Sequence, residues 1–270
     1  MSWEDEAKKD IVLGYKNAST MMKTGNPVYF SSVVGRVANR IAKGRLAFFG
    51  ESFDLEVNDP PNHLHGGGST GGFSHKNWDA EIIDFCGGKA VCFSLLSPDG
   101  DQGYPGSVQV TATYSLRPSL TLSGVVLRLD ISAKLIGDKP TPINLAQHSY
   151  FNLSGQDSPN GILDHSLKIE SDAYTPVDET AIPTREVRSL DEDSIMDWRT
   201  ERQLRGALQA YGVEKMGFSP ERTKEDLNQR KQNNGPYGFD HNYVVRKQPG
   251  TSIPQVASLT YNTRRMIVCK

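Results

Sequence analysis

The sharpest pattern along the chain is a period of two. Val108, Val110, Ala112, Tyr114 and Leu116 alternate with Gln109, Thr111, Thr113 and Ser115, as in a strand with one buried and one wet face. Leu127, Leu129, Ile131, Ala133 and Leu135 repeat the pattern against Arg128, Asp130, Ser132 and Lys134. The two runs are expected to be antiparallel neighbours with their apolar positions on a core. Shorter strands are predicted near 90–96, 166–170, 241–246 and 255–261, separated by turn chemistry such as SPDGDQGYPG. Strands in series with short turns predict an all-β chain built as a large antiparallel β-sandwich.

Only Glu201 to Tyr211 reads as a helix, with Leu204, Leu208 and Tyr211 at helical spacing. Residues 220–235 hold almost no large apolar side chain and many Lys, Arg, Asn, Gln and Glu, so a flexible surface insertion is expected there. No internal repeat and no Pro/Gly/Ser linker divides the chain, and residues 1–270 are expected to form a single domain.

Composition narrows the partners. A formal net charge of −2 gives no electrostatic ground for binding nucleic acid or an anionic membrane, both of which need clustered positive charge. The opening MSWEDEAKKD lacks an apolar leader core, and no apolar run reaches spanning length. Cys86, Cys92 and Cys269 form an odd set without metal-type spacing, which suits a reducing cytoplasm. Neither a dinucleotide-binding glycine pattern nor a P-loop is present.

Four clusters carry candidate chemistry. In PINLAQHSYFNLSG, an extended chain puts Ile143, Leu145, Phe151 and Leu153 on one face and Asn144, His148, Tyr150 and Asn152 on the other. An imidazole can give and take a proton near pH 7, which makes His148 the general acid/base candidate; a structural histidine is the alternative. In PPNHLHGGGSTGGF, His65 precedes glycines that let backbone approach a ligand closely, although an ordinary glycine-rich turn reads the same way. His63 and His65, one residue apart, also invite a metal-ligand reading, without supporting Asp, Glu or Cys at a suitable spacing. In GRVANRIAKGR, Asn39 and Arg40 offer donors for vicinal hydroxyls, or for a phosphate; in PYGFDHN, Asp240 offers a carboxylate to two hydroxyls, or caps a turn.

Taken in order, GRVANRIAKGR, NHLHGG, SPDGDQGYPG, INLAQHSYFNLSG, DAYTPVDETAIPTREV and GFDHNYVV resemble the galactose mutarotase (aldose 1-epimerase) family along most of the chain, and VLGYKNAS near the start fits as well. The resemblance implies the mutarotase β-sandwich, no metal or organic cofactor, and interconversion of the α and β anomers of free aldohexoses such as galactose and glucose. It implies that His148 protonates the ring oxygen and that Asn39, Arg40, His65 and Asp240 hold the sugar. The family's C-terminal glutamate base, and a glutamine upstream of it, find no counterpart, and the first and final strands are expected to be missing. A carbohydrate-binding module without catalysis is the alternative reading.

Overall fold

The computed structural model describes residues 9–68, 71–119, 123–210, 239–246 and 253–270. The stretch 220–235, read from the sequence as an insertion, lies outside them. Two compact units account for the chain, one of Gly14–Ser149 and one of Met1–Leu13 with Tyr150–Lys270.

The unit Gly14–Ser149 begins with a short helix, α1 (Ala18–Thr24). The side chain of Asn17 accepts the amide of Thr20 at its start, and Gly25 closes it in the left-handed region with its amide on the Met21 carbonyl. No residue of α1 is buried, so its caps rather than a core face define it. The strands follow: β1 (Val33–Val34), β2 (Arg45–Phe48), β3 (Glu51–Asp54), β4 (Asp79–Phe85), β5 (Gly88–Ser97), β6 (Ser107–Pro118), β7 (Val125–Ile136) and β8 (Ala146–Gln147). They form the pairs β1-β8 and β2-β3 and a sheet ordered β4-β5-β6-β7, antiparallel throughout.

The two alternating runs are β6 and β7, paired one to one from Ser107↔Ile136 to Pro118↔Val125. In β6 the period of two holds at its first half, where Val108, Val110 and Ala112 are buried. Val108 and Val110 join Phe73 and Leu95 in a core against which Trp78 and Leu145 pack. The expected core face of β7 is different: Val125 is 65%, Leu127 59% and Leu135 40% exposed, and Leu116 opposite Leu127 is 67% exposed. The packed cluster around Phe73 and Leu95 reaches Val108 and Val110 of β6 but not the Leu116–Leu127 end, so the apolar positions of both strands are exposed there.

The second unit holds β9 (Ser166–Ile169), β10 (Ser171–Thr175), β11 (Arg188–Ser189), β12 (Arg202–Gln203), the helix α2 (Leu204–Ala210), β13 (Asn242–Val245), β14 (Gln255–Tyr261) and β15 (Arg264–Cys269). Its sheets are ordered β11-β10-β13 and β12-β9-β14-β15, again antiparallel. Trp198, Leu204 and Ala207 bury against Leu167, Ile169, Phe239 and Tyr243, which explains the helical spacing seen at Leu204. The helix is shorter at its start than the sequence predicts, because Arg202 and Gln203 pair with Leu167 and Ser166 instead.

Among the described residues no helix is long and apolar enough to cross a membrane.

Candidate functional site

The site in the first unit is built on β8. Leu145 is anchored in the core beside Phe73, and Gly35 is required opposite it, since a Cβ there would lie 2.4 Å from Leu145 Cδ2. Ala146 and Gln147 pair with Val34 and Val33. The pairing runs one residue further, with the His148 amide on the Ser32 carbonyl at 2.8 Å and the Ser31 amide on the His148 carbonyl at 3.1 Å. Gln147, on the opposite face, is held by the Tyr114 hydroxyl at 2.8 Å and donates to Ser31 O and Ser149 Oγ. The backbone carrying His148 is therefore fixed on both sides, and its ring position follows.

That ring meets two others. His65 lies with its centroid 4.8 Å from His148 at 78°, and Tyr29 lies 5.9 Å from His148 and 4.6 Å from His65. His65 Nδ1 sits 2.7 Å from the Ala38 carbonyl, which can only accept, so Nδ1 carries the hydrogen and Nε2 presents a lone pair. Burial pushes the His65 imidazole down to about 4, and the proximity of His148 and Arg40 adds to the shift. At neutral pH His65 is thus a neutral hydrogen-bond acceptor.

Ala38 also links this pair to the next cluster. Asn39 is exposed, and its side chain accepts the Arg40 amide at 2.8 Å. Arg40 Nε binds Asp59 Oδ2 at 2.7 Å, which orients the guanidinium and leaves its remaining N–H groups for a ligand. Burial and the nearby Asp59 carboxylate hold the Tyr29 phenol above its usual range, so it is a neutral wall of this cluster. Sequence reasoning missed Tyr29 and Asp59. Tyr29 occupies a turn at φ 57, outside any periodic pattern, and that turn is locked by the Asn26 side chain to Phe30 and Ser32.

Several expectations need correction. The Pro142–Leu153 stretch is extended as a strand only at Ala146–Gln147: Ile143 is 39% exposed rather than core, and Asn152 is buried in a turn with its side chain bound to Ser154 and Gly155. His63 does not pair with His65 as a ligand set. It is fully buried, with Nδ1 2.7 Å from the Glu56 carbonyl and Nε2 2.8 Å from the Tyr104 hydroxyl, so both nitrogens are occupied. Three of the glycines after His65 have close neighbours within the protein. A Cβ on Gly66 would fall 1.7 Å from Gly35 O, and one on Gly67 or Gly71 would strike the Gln102 side chain at 2.3 or 1.7 Å.

Gln102 belongs to the SPDGDQGYPG stretch, whose other task is to wrap Arg36. This guanidinium, 1% exposed, binds Ser97 Oγ and the carbonyls of Ser97, Pro98, Pro105 and Gly106, with Thr141 Oγ1 at 2.8 Å. Of the two arginines in GRVANR, Arg36 is a core brace and Arg40 is paired with Asp59.

Asp240, the fifth sequence candidate, belongs to the other unit. It is exposed two residues before β13, and its charge helps burial to raise the Tyr150 phenol above its usual range.

Comparison with known proteins gives the family. Residues 1–268 match the family model described as aldose 1-epimerase. The galactose mutarotase of Rattus norvegicus is 38% identical over 238 residues, 88% of this chain and 58% of the rat protein. The aldose 1-epimerase of Haemophilus influenzae is 34% identical over 81% of this chain and 54% of its own length. The chain thus spans somewhat more than half of these relatives. Among solved structures, galactose 1-epimerase from Lactobacillus acidophilus NCFM superposes with a TM-score of 0.69 at 25% identity, over 96% of this chain and 66% of that one. The aldose epimerase homologue from C. elegans gives 0.67 at 26%, over 93% and 64%. The antiparallel all-β class read from the sequence is the one found.

Proposed function

The chain belongs to the aldose 1-epimerase family, and on that premise we propose that it binds a free aldohexose and catalyses interconversion of its α and β anomers, with His148 as the acid. The observation that carries this reading is the pairing of His148 with a second imidazole held neutral near pH 7.

Opening the hemiacetal requires a proton on the ring oxygen while the C1–O5 bond breaks, and loss of the anomeric hydroxyl proton as C1 becomes a carbonyl. Rotation about C1–C2 and reversal of both transfers give the other anomer. His148 supplies the first proton. The lone pair on His65 Nε2 accepts a sugar hydroxyl, and the free N–H groups of Arg40 and the amide of Asn39 donate to ring hydroxyls. The anomeric proton must pass to a base, and acetate added to the assay can serve as one. Three free cysteines are compatible with a reducing compartment such as the cytoplasm.

The test is polarimetry of freshly dissolved α-D-galactose with increasing acetate. Anomerisation above the acetate blank, lost in His148→Ala, is expected; rates equal to the blank in both proteins would refute catalysis. Calorimetric titration then decides whether the sugar is bound at all, since a binding-only protein would show saturable heat that weakens in Arg40→Ala without anomerisation.

A further inference from the structure

One aromatic ring stands among three imidazoles. The Tyr29 ring lies 4.6 Å from His65 at 75°, 5.9 Å from His148 at 44° and 5.8 Å from His75 at 79°, centroid to centroid. At such separations edge-to-face and tilted rings attract. Both nitrogens of His75 are occupied, Nε2 2.8 Å from the Gly25 carbonyl and Nδ1 2.9 Å from Ser74 Oγ, so this imidazole is a fixed support for the Tyr29 ring.

The backbone repeats the coupling. The turn that carries Tyr29 is bonded to the segment that carries His148: the Ser31 amide donates to the His148 carbonyl at 3.1 Å, the His148 amide to the Ser32 carbonyl at 2.8 Å, and Gln147 Nε2 to the Ser31 carbonyl at 3.1 Å. Tyr29 and His65 both hold left-handed backbone, at φ 57 and 54, which few bulky residues adopt. Such conformations persist where the surroundings over-determine them, and they cluster at functional sites. Here the two residues that hold them are the two whose rings pack edge-on.

Contact with two imidazoles at once has a chemical consequence. His65 is held neutral by burial first, and the Tyr29 ring supplies part of that cover. The charged and polar groups around His65 pull in both directions: His148 and Arg40 disfavour its protonation, whereas Asp59 and the Ala38 carbonyl favour it. A ring that excludes water without bringing a charge tips this balance toward the neutral imidazole. The Tyr29 phenol, itself raised above its usual range, brings no charge at neutral pH.

We infer that Tyr29 is a positioning residue of this site: by packing on His65 and His148 together it fixes the angle between their rings and shields His65 from water, through its ring and not its hydroxyl. Its effect on turnover rests on the epimerase reading; its effect on the imidazoles does not.

Histidine-ring NMR of the full chain, without sugar, tests the second effect by itself. NOEs are expected from the Tyr29 ring protons to the rings of both His65 and His148, and His65 should titrate at about 4 with its hydrogen on Nδ1. Tyr29→Phe keeps the ring and should leave that midpoint in place. Tyr29→Asn tolerates left-handed backbone but removes the ring, and it should raise the midpoint by about one pH unit or more. His63, bonded to Glu56 and Tyr104, is the internal reference: its titration should stay put in both variants, whereas a general loosening of the fold would move it as well. In the polarimetric assay Tyr29→Asn should lower kcat about ten-fold and Tyr29→Phe should retain it. Missing NOEs to either imidazole, a His65 midpoint unchanged in Tyr29→Asn, an equal rise in Tyr29→Phe, or a parallel shift of His63 would overturn the inference. The NOEs are read on the protein with Tyr29 in place, so they decide the contact even where Tyr29→Asn does not fold.

Discussion

The ring of His65 stands edge-on to that of His148, 4.8 Å between centroids, with its Nδ1 committed to the carbonyl of Ala38. Two imidazoles this close disfavour simultaneous protonation. Burial takes His65 well below its ordinary value and keeps it neutral. The buried imidazole is thereby kept an acceptor at neutral pH.

Replacement of His148 by Gln keeps a polar side chain of similar reach but cannot supply a proton at neutral pH. The buffer-assisted anomerisation rate is expected to fall by about 10²- to 10⁴-fold, the usual contribution of a positioned proton-transfer group. Progress curves at several sugar concentrations should show the loss in kcat with KM changed little; a loss confined to KM would make His148 a binding residue only.

Acidification should destabilise the protein before its carboxylates titrate. His65 and His63 are both held below their ordinary values by burial, so the unfolded chain binds more protons than the folded one between the unfolded value of 6.5 and the folded value, about 4 for His65. Their contribution is complete above 6.5 and is lost as pH falls through that window. Urea midpoints measured from about pH 7 to about pH 4 should decline, and His65→Gln should flatten part of the decline. A midpoint that rises on acidification would contradict the neutral assignments.

Arg36 is buried with its whole donor set satisfied. Arg36→Ala leaves the carbonyls of Pro98, Pro105 and Gly106 facing a void, and a loss of about 3–5 kcal/mol is expected from comparable buried deletions. Arg36→Lys should recover only a small part, since an ammonium cannot reproduce the planar fork. Chemical denaturation gives the comparison; a change smaller than for an exposed arginine such as Arg45 would show that the bonds contribute little.

Gly66→Ala should fail for a steric reason. The residue has φ 78 and no room for a Cβ against Gly35. At least about 2 kcal/mol of destabilisation is expected, together with loss of galactose binding as His65 is displaced. Gly50→Ala has a similar φ of 82 but open space, and it separates the dihedral cost from the collision.

Much of the molecule was determined locally. Alternation wrote β6 and β7 into the sequence, and β14 was read residue for residue as Gln255–Tyr261, because a strand's side-chain period is a backbone property that needs no partner to be visible. His148 and His65 were singled out on residue type, and only the structure puts their rings 4.8 Å apart. The helix α1 was overlooked because its signal is a pair of caps, Asn17 and Gly25, without an apolar stripe. Tertiary structure alone decided the remainder. It decided that His63 is spent on Glu56 and Tyr104 while His65 keeps an open nitrogen, that Arg36 braces the core while Arg40 is oriented by Asp59, and that the apolar positions of β6 and β7 are exposed at their Leu116–Leu127 end. Each of these depends on which distant backbone lies within about 3 Å of a side chain, the range over which a hydrogen bond forms, and that proximity is set by the packing of strands far apart in sequence.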